Sequence, residues 1–197
     1  MATPVDIANM ALSHLGETTI VALDDSTESA RVMTLWFDHA RRRALRANNW
    51  SCAIKRASLS AEVDAPVFGY ANSFPVPADF IRLTSIENAG LEAGFQIESR
   101  KILTNLSAPL NIKYVYDLED TSAYDDDLVA CFALWLAYFA SGKIAPSRTE
   151  LLRQYTVDAK NQAATADGSS NSPQPLQGGS WLAAQAFTRD PTKWGGV

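Results

Sequence analysis

Four groups of residues in this 197-residue chain are of types and spacings that could do chemistry. Arg41, Arg42, Arg43 and Arg46 crowd together, with Arg42 and Arg46 one helical turn apart. Guanidinium groups bind phosphates and carboxylates through paired N–H donors, so the cluster could hold a partner's acids or a DNA backbone. It equally suits a solvated helix end, where positive charge is favoured. Asp125, Asp126 and Asp127 could share a divalent ion, although a helix start explains them more simply. His14 and His39 have no sequence-local partner for nucleophilic catalysis, and Cys52 and Cys131 read as buried free thiols suited to a reducing compartment. The fourth group closes the chain, in "GGSWLAAQAFTRDPTKWGGV", where Trp181, Leu182, Phe187 and Trp194 offer large apolar anchors.

The sequence has no CxxC, no HExxH and no Gly-rich phosphate loop. No metal site, cofactor or catalytic residue is therefore expected. Carboxylate pairs of the glycosidase kind need not be close in sequence, but nothing here singles one out.

The positioning elements are legible from punctuation and period. Thr3, Pro4 and Asp6 open a first helix, Val5, Ala8, Leu12 and Leu15 follow its spacing, and Gly16 stops it. Asp25 with Glu28 reads as the capping box of a second helix, striped by Ala30, Met33, Phe37, Ala40 and Ala44 and ending near Arg46. From residue 51 to 121 the period falls to two. "IKRASLS", "FIRLTSI", "FQIES", "KILTN" and "LNIKYVY" read as strands, with Cys52 expected in a strand and a tight hairpin at Ser99-Arg100. Trp50 is expected to plug the junction between helix and strands. Phe68, Tyr70, Phe74, Pro75 and Pro77 read as strand-entry chemistry, with Asp79 accepting local backbone hydrogen bonds. A third helix spans about 126–141 and is stopped by Gly142 and Pro146. Its core, "LVACFALWLAYFA", is 13 residues long, too short to cross a bilayer. It could bury against its own bundle or against a neighbouring subunit. Ser147 with Glu150 reads as the cap of a fourth helix carrying Leu151, Leu152, Tyr155 and Ala159 on one side. After about Ala166 "DGSSNSPQPLQGG" is linker composition.

The expected fold is α+β, an antiparallel-type bundle of about four helices with an inserted β subdomain and an extended C-terminal arm. The expected parts are 1–50 and 122–166 as the two halves of the bundle, 51–121 as the insert, and 167–197 as linker and arm. The net charge of −5 argues against broad, non-specific nucleic-acid binding. The start "MATPVDIANM" lacks the basic and apolar regions of a signal peptide. No membrane association is expected.

"IANMALSHLGE", "LDDSTESARVMTLWFDHARRRALRANNWSCA", "FGYANSFPVPADFIRL", "FQIESRKILTN" and "IKYVYDLED" follow one another in this order. Their order and spacing resemble the tail tubular protein A family of short-tailed bacteriophages, the head-to-tail adaptors, over roughly residues 5–166. The resemblance implies a non-enzymatic virion protein of the tail and neck region, assembled in the host cytoplasm. It implies a ring, usually of twelve subunits, between the portal protein and the tail nozzle protein. Viral DNA would pass through the lumen without sequence-specific binding. Portal or a neighbouring subunit would then be the partner of Trp181, Leu182, Phe187 and Trp194, and of Arg42, Arg43 and Arg46. Back-packing of the arm onto its own bundle is the alternative for the tryptophans. For the whole chain the alternatives are a DNA-binding accessory protein using Arg41, Arg42, Arg43 and Arg46, and a virion-associated hydrolase.

Overall fold

The computed structural model describes residues 2–87 and 94–170, with side chains through Ala159. Among them are four α-helices and two three-stranded antiparallel sheets, an α+β fold.

Helix α1, Pro4–Leu15, is closed at both ends as its sequence predicts. The Thr3 hydroxyl accepts from the Asp6 N–H at 3.1 Å, and the Asp6 carboxylate accepts from the Thr3 N–H at 2.9 Å. Gly16 takes a left-handed φ of 77°. Helix α2, Glu28–Ala47, departs from expectation at its start. Thr27 is the cap, accepting from the Ala30 N–H at 3.2 Å. Asp25 lies two residues too early and is used up in the preceding loop, where it accepts from the Val21 and Ala22 N–H groups. The Glu28 carboxylate meets Lys143 at 3.4 Å instead. Past α2, Trp50 is buried and its indole N–H donates to the Ala44 carbonyl at 2.9 Å. It fills the expected junction. Cys52 sits in a 3-10 turn, Ser51–Ala53, rather than in a strand.

Six strands follow: β1 Ile54–Leu59, β2 Asn72–Pro75, β3 Phe80–Ile86, β4 Phe95–Glu98, β5 Lys101–Thr104 and β6 Leu110–Tyr116. One sheet has the order β1-β6-β3 and the other β2-β5-β4. Strand β2 was not among the expected ones. It has only four residues and ends in Pro75, which an edge strand tolerates. Phe74, fully buried, anchors it opposite Ile102. The β4–β5 hairpin turns where expected, with Ser99 and Arg100 both left-handed, at φ 46° and 62°. This is the geometry of the type I′ turn, which matches strand twist.

Helix α3, Asp126–Ile144, is longer than the apolar run within it and continues through Gly142. Its 19 residues are long and apolar enough to cross a bilayer by length and composition, contrary to the shorter reading. More than half of that window is buried, and α3 packs against α1, α2 and α4. A 3-10 turn, Pro146–Arg148, precedes α4, Thr149–Ser170. Ser147 lies inside that turn and is not the cap; the Glu150 carboxylate takes Arg153 at 2.7 Å instead. The buried stripe of α4 carries Leu152 and Thr156, while Leu151 and Tyr155 are half exposed. The expected apolar face is thus rotated, and Thr156 is buried with its hydroxyl donating to the Arg153 carbonyl at 2.8 Å.

Two cores result. The larger joins the helices and takes in Val115, Ile54 and Ile81 from the first sheet. The smaller lies between the sheets, around Phe74, Ile102, Ile112 and Tyr114. Tyr114 and Val115 are neighbours on β6 and point to opposite faces, so β6 serves both cores.

Candidate interaction surface

The arginine end of α2 faces the first sheet. Arg41 has a side chain only 8% exposed and places its Nε 3.1 Å from Asp117, with Asp38 at 3.1 Å and Glu119 at 3.7 Å. Arg42 reaches the other oxygen of Asp117 at 3.0 Å. Arg46 donates to the Ile81 carbonyl in β3 at 3.0 Å. Three of the four arginines therefore tie α2 to β3 and to the residue just after β6. Asp117, 76 residues from Arg41, is the site residue that sequence spacing could not reveal. Arg42 keeps 62% of its side chain exposed, while Arg41 does not remain available to DNA.

Arg43 does something else. Its guanidinium lies 4.6 Å over the ring of Trp135 on α3, at one end of an aromatic strip. Trp135 meets Phe139 at 5.8 Å and Tyr138 at 6.0 Å between ring centroids. Phe139 stacks on Trp36 of α2 at 5.5 Å, and Trp36 meets His39 at 5.8 Å. The spacings that build the strip are helical: 36, 39 and 43 on α2, and 135, 138 and 139 on α3. A second row, Phe37 against Phe132 at 4.9 Å, points inward. Trp36, Tyr138 and Phe139 are half buried, and His39 and Arg43 are exposed. The strip was not foreseen, because an all-apolar helix shows no preferred face in sequence.

Nucleophilic chemistry is poorly provided for. Burial pushes both thiols, Cys52 and Cys131, up to about 11, which keeps them protonated at neutral pH. Partial desolvation lowers the pKa of His14, whose carbonyl accepts from Arg148 at 2.9 Å. Asp79 accepts from its own backbone N–H, as expected of the turn, and also makes longer-range contacts. It binds Lys55 at 2.8 Å and accepts from the Tyr114 hydroxyl at 3.1 Å, while Lys55 also caps the Tyr116 ring at 3.8 Å. Tyr114 is pushed up to about 12, by burial first and by the Asp79 contact second. A depression of about 580 Å³ under the loop Ala61–Val67 holds Glu62, which takes Lys101 and Ser73, each at 2.8 Å. The Lys101 hydrogen bond above all, then that from Ser73, holds Glu62 below its ordinary value, so it is a weak base for the serine proton. Among the described residues no three His, Cys, Asp or Glu side chains converge to hold a metal ion.

Val63, Val67 and Phe68 stand almost fully exposed on the loop between β1 and β2, so Phe68 does not pack at strand entry as expected. Trp181, Leu182, Phe187 and Trp194 lie outside the described residues. Comparison with known proteins finds no matching family model and no matching curated protein.

Proposed function

We propose that the chain is a structural adaptor of a short-tailed phage virion. Copies form a ring, of about twelve by the resemblance, that joins portal to tail nozzle in the neck and conducts DNA through its lumen. One observation carries this reading: the five segments from "IANMALSHLGE" to "IKYVYDLED" follow one another in an order and spacing that resemble the adaptor family's. The architecture supports it. The two helical stretches flanking the strands pack as one bundle, and the sheets stand beyond it, giving a body with a helical end and a β end. The helical end would meet portal and the β end the nozzle. The action is binding and gating, without turnover. A net charge of −5 suits a lumen that must let phosphates pass. Trp181, Leu182, Phe187 and Trp194 are the proposed anchors on portal or on a neighbouring subunit, with Arg42, Arg43 and Arg46 as accessory contacts.

The test is assembly. Native mass measurement of the purified chain, alone and with portal, should show monomers or heterogeneous species alone and one closed ring with portal. Failure to bind portal at any salt concentration defeats the reading. Deleting residues 178–197 should leave the fold and weaken assembly; normal assembly of the deletion removes the arm from the account. Duplex DNA should bind weakly even at low salt. A steeply salt-dependent affinity would favour the accessory DNA-binding reading.

A further inference from the structure

We propose that in the free chain the segment 178–197 docks on the aromatic strip formed by Trp36, His39 and Arg43 of α2 and Trp135, Tyr138 and Phe139 of α3. The inference concerns the free chain and does not rest on the adaptor reading. Trp36, Tyr138 and Phe139 leave part of their rings exposed over the buried Trp135, rimmed by an exposed imidazole and a guanidinium. The sequence beyond α4 holds the matching chemistry. Two of the chain's five tryptophans, Trp181 and Trp194, lie there, with Phe187 between them. Aromatic rings pair edge-to-face or offset at ring distances like those already within the strip.

The chain length fits. Helix α4 has 22 residues, about 33 Å of axis, and starts beside the strip's end of α3, where the Thr149 and Ser141 hydroxyls are 2.9 Å apart. Residues 171–181 span up to about 35 Å when extended. Trp181 can thus return along α4 to any level of the strip. A segment tethered this closely meets its own strip at about millimolar effective concentration. At the lower concentrations of a dilute protein, its own chain is the favoured occupant over a second copy. In an assembly the same anchors become available only when another surface competes for them.

Hydroxyl-radical footprinting of the full chain tests this. Trp181 and Trp194 should oxidise several-fold more slowly in the full chain than in a free peptide of residues 178–197. Equal rates overturn the proposal. In a full-length Trp181→Ser/Phe187→Ser/Trp194→Ser chain, Trp36, Tyr138 and Phe139 should react several-fold faster than in the wild type, with buried Phe132 unchanged. Adding the peptide should restore their protection in the variant and do nothing to the wild type. Unchanged reactivity of the strip, or a peptide without effect on the variant, overturns the proposal. Wild-type protection lost on dilution also overturns it, in favour of a second copy as occupant.

Discussion

Asp117 neutralises two guanidinium groups at once, and one of them, on Arg41, is nearly shut off from water. Removing the acid leaves the buried cation only the solvent-exposed carboxylates of Asp38 and Glu119. Asp117→Ala should cost about 2–3 kcal/mol, while Arg42→Ala, whose side chain is mostly solvated, should cost about 1 kcal/mol or less. Urea denaturation of both variants checks this, and similar losses would refute the distinction. The arginines were legible as a cluster; their acid was not, because the pairing crosses the whole β insert. Asp79 shows the same limit. Burial pushes its pKa up, but the Lys55 and Tyr114 hydrogen bonds and the Lys55 charge outweigh it and hold the carboxyl below 3.8. The unfolded chain therefore takes up its proton first as pH falls. The stabilisation is full above the ordinary value and is lost as pH drops through the folded one. Asp79→Asn should be the less stable protein at neutral pH, with the gap narrowing as the pH falls below 3.8. Urea midpoints above and below that pH measure it, and a gap that stays constant would show that Asp79 is not the titrating group.

Both ends of α1 and the β4–β5 turn were the most legible elements, since their chemistry is local, whereas the starts of α2 and α4 and the end of α3 lay elsewhere than expected. Gly16 was read as a stop from sequence, and the structure adds a second reason for glycine. A Cβ there would sit 2.8 Å from the Arg148 guanidinium, which binds the His14 carbonyl and ties the start of α4 to the end of α1. Gly16→Ala should therefore lose about 1–2 kcal/mol from left-handed strain, and more if Arg148 is displaced. Thermal denaturation of G16A beside Arg148→Ala separates the two parts: R148A should lose only the cross-link. The hairpin invites the opposite change. Ser99 pays for a left-handed φ of 46° that asparagine tolerates better, so Ser99→Asn should raise stability by a few tenths of a kcal/mol. Strand β2 and the face of α4 were not legible for a different reason. Both depend on what packs against them: Ile102 opposite Phe74, and α3 beneath Leu152 and Thr156.

On the scale of the molecule, the β insert is not a separate body. β6 gives Val115 to the helical core and Tyr114 to the core between the sheets, so neither core is complete without that strand. The arginine links add to this coupling, since Arg41 and Arg42 hold Asp117 directly after β6 and Arg46 holds β3 through Ile81. The sequence showed helices on both sides of a strand-rich stretch but not this sharing, which depends on residues of opposite parity on one strand. Sharing a strand makes unfolding cooperative, because opening either core exposes apolar surface of the other. The wild-type chain should unfold in one transition, with tryptophan fluorescence and far-UV circular dichroism coincident. Trp36, Trp50 and Trp135 report the helical side, whereas the strands contribute most around the second core. Cutting the links with Arg41→Met and Asp117→Leu together removes the charges as a pair, so no buried ion is stranded and each layer keeps its own packing. What is lost is the connection between layers. The double variant should lose coincidence of the two probes before it loses much total stability. A variant that keeps a single coincident transition would place the coupling in β6 and the remaining hydrogen bond from Arg46 to Ile81, and adding Val115→Ala and Arg46→Met would then separate the layers.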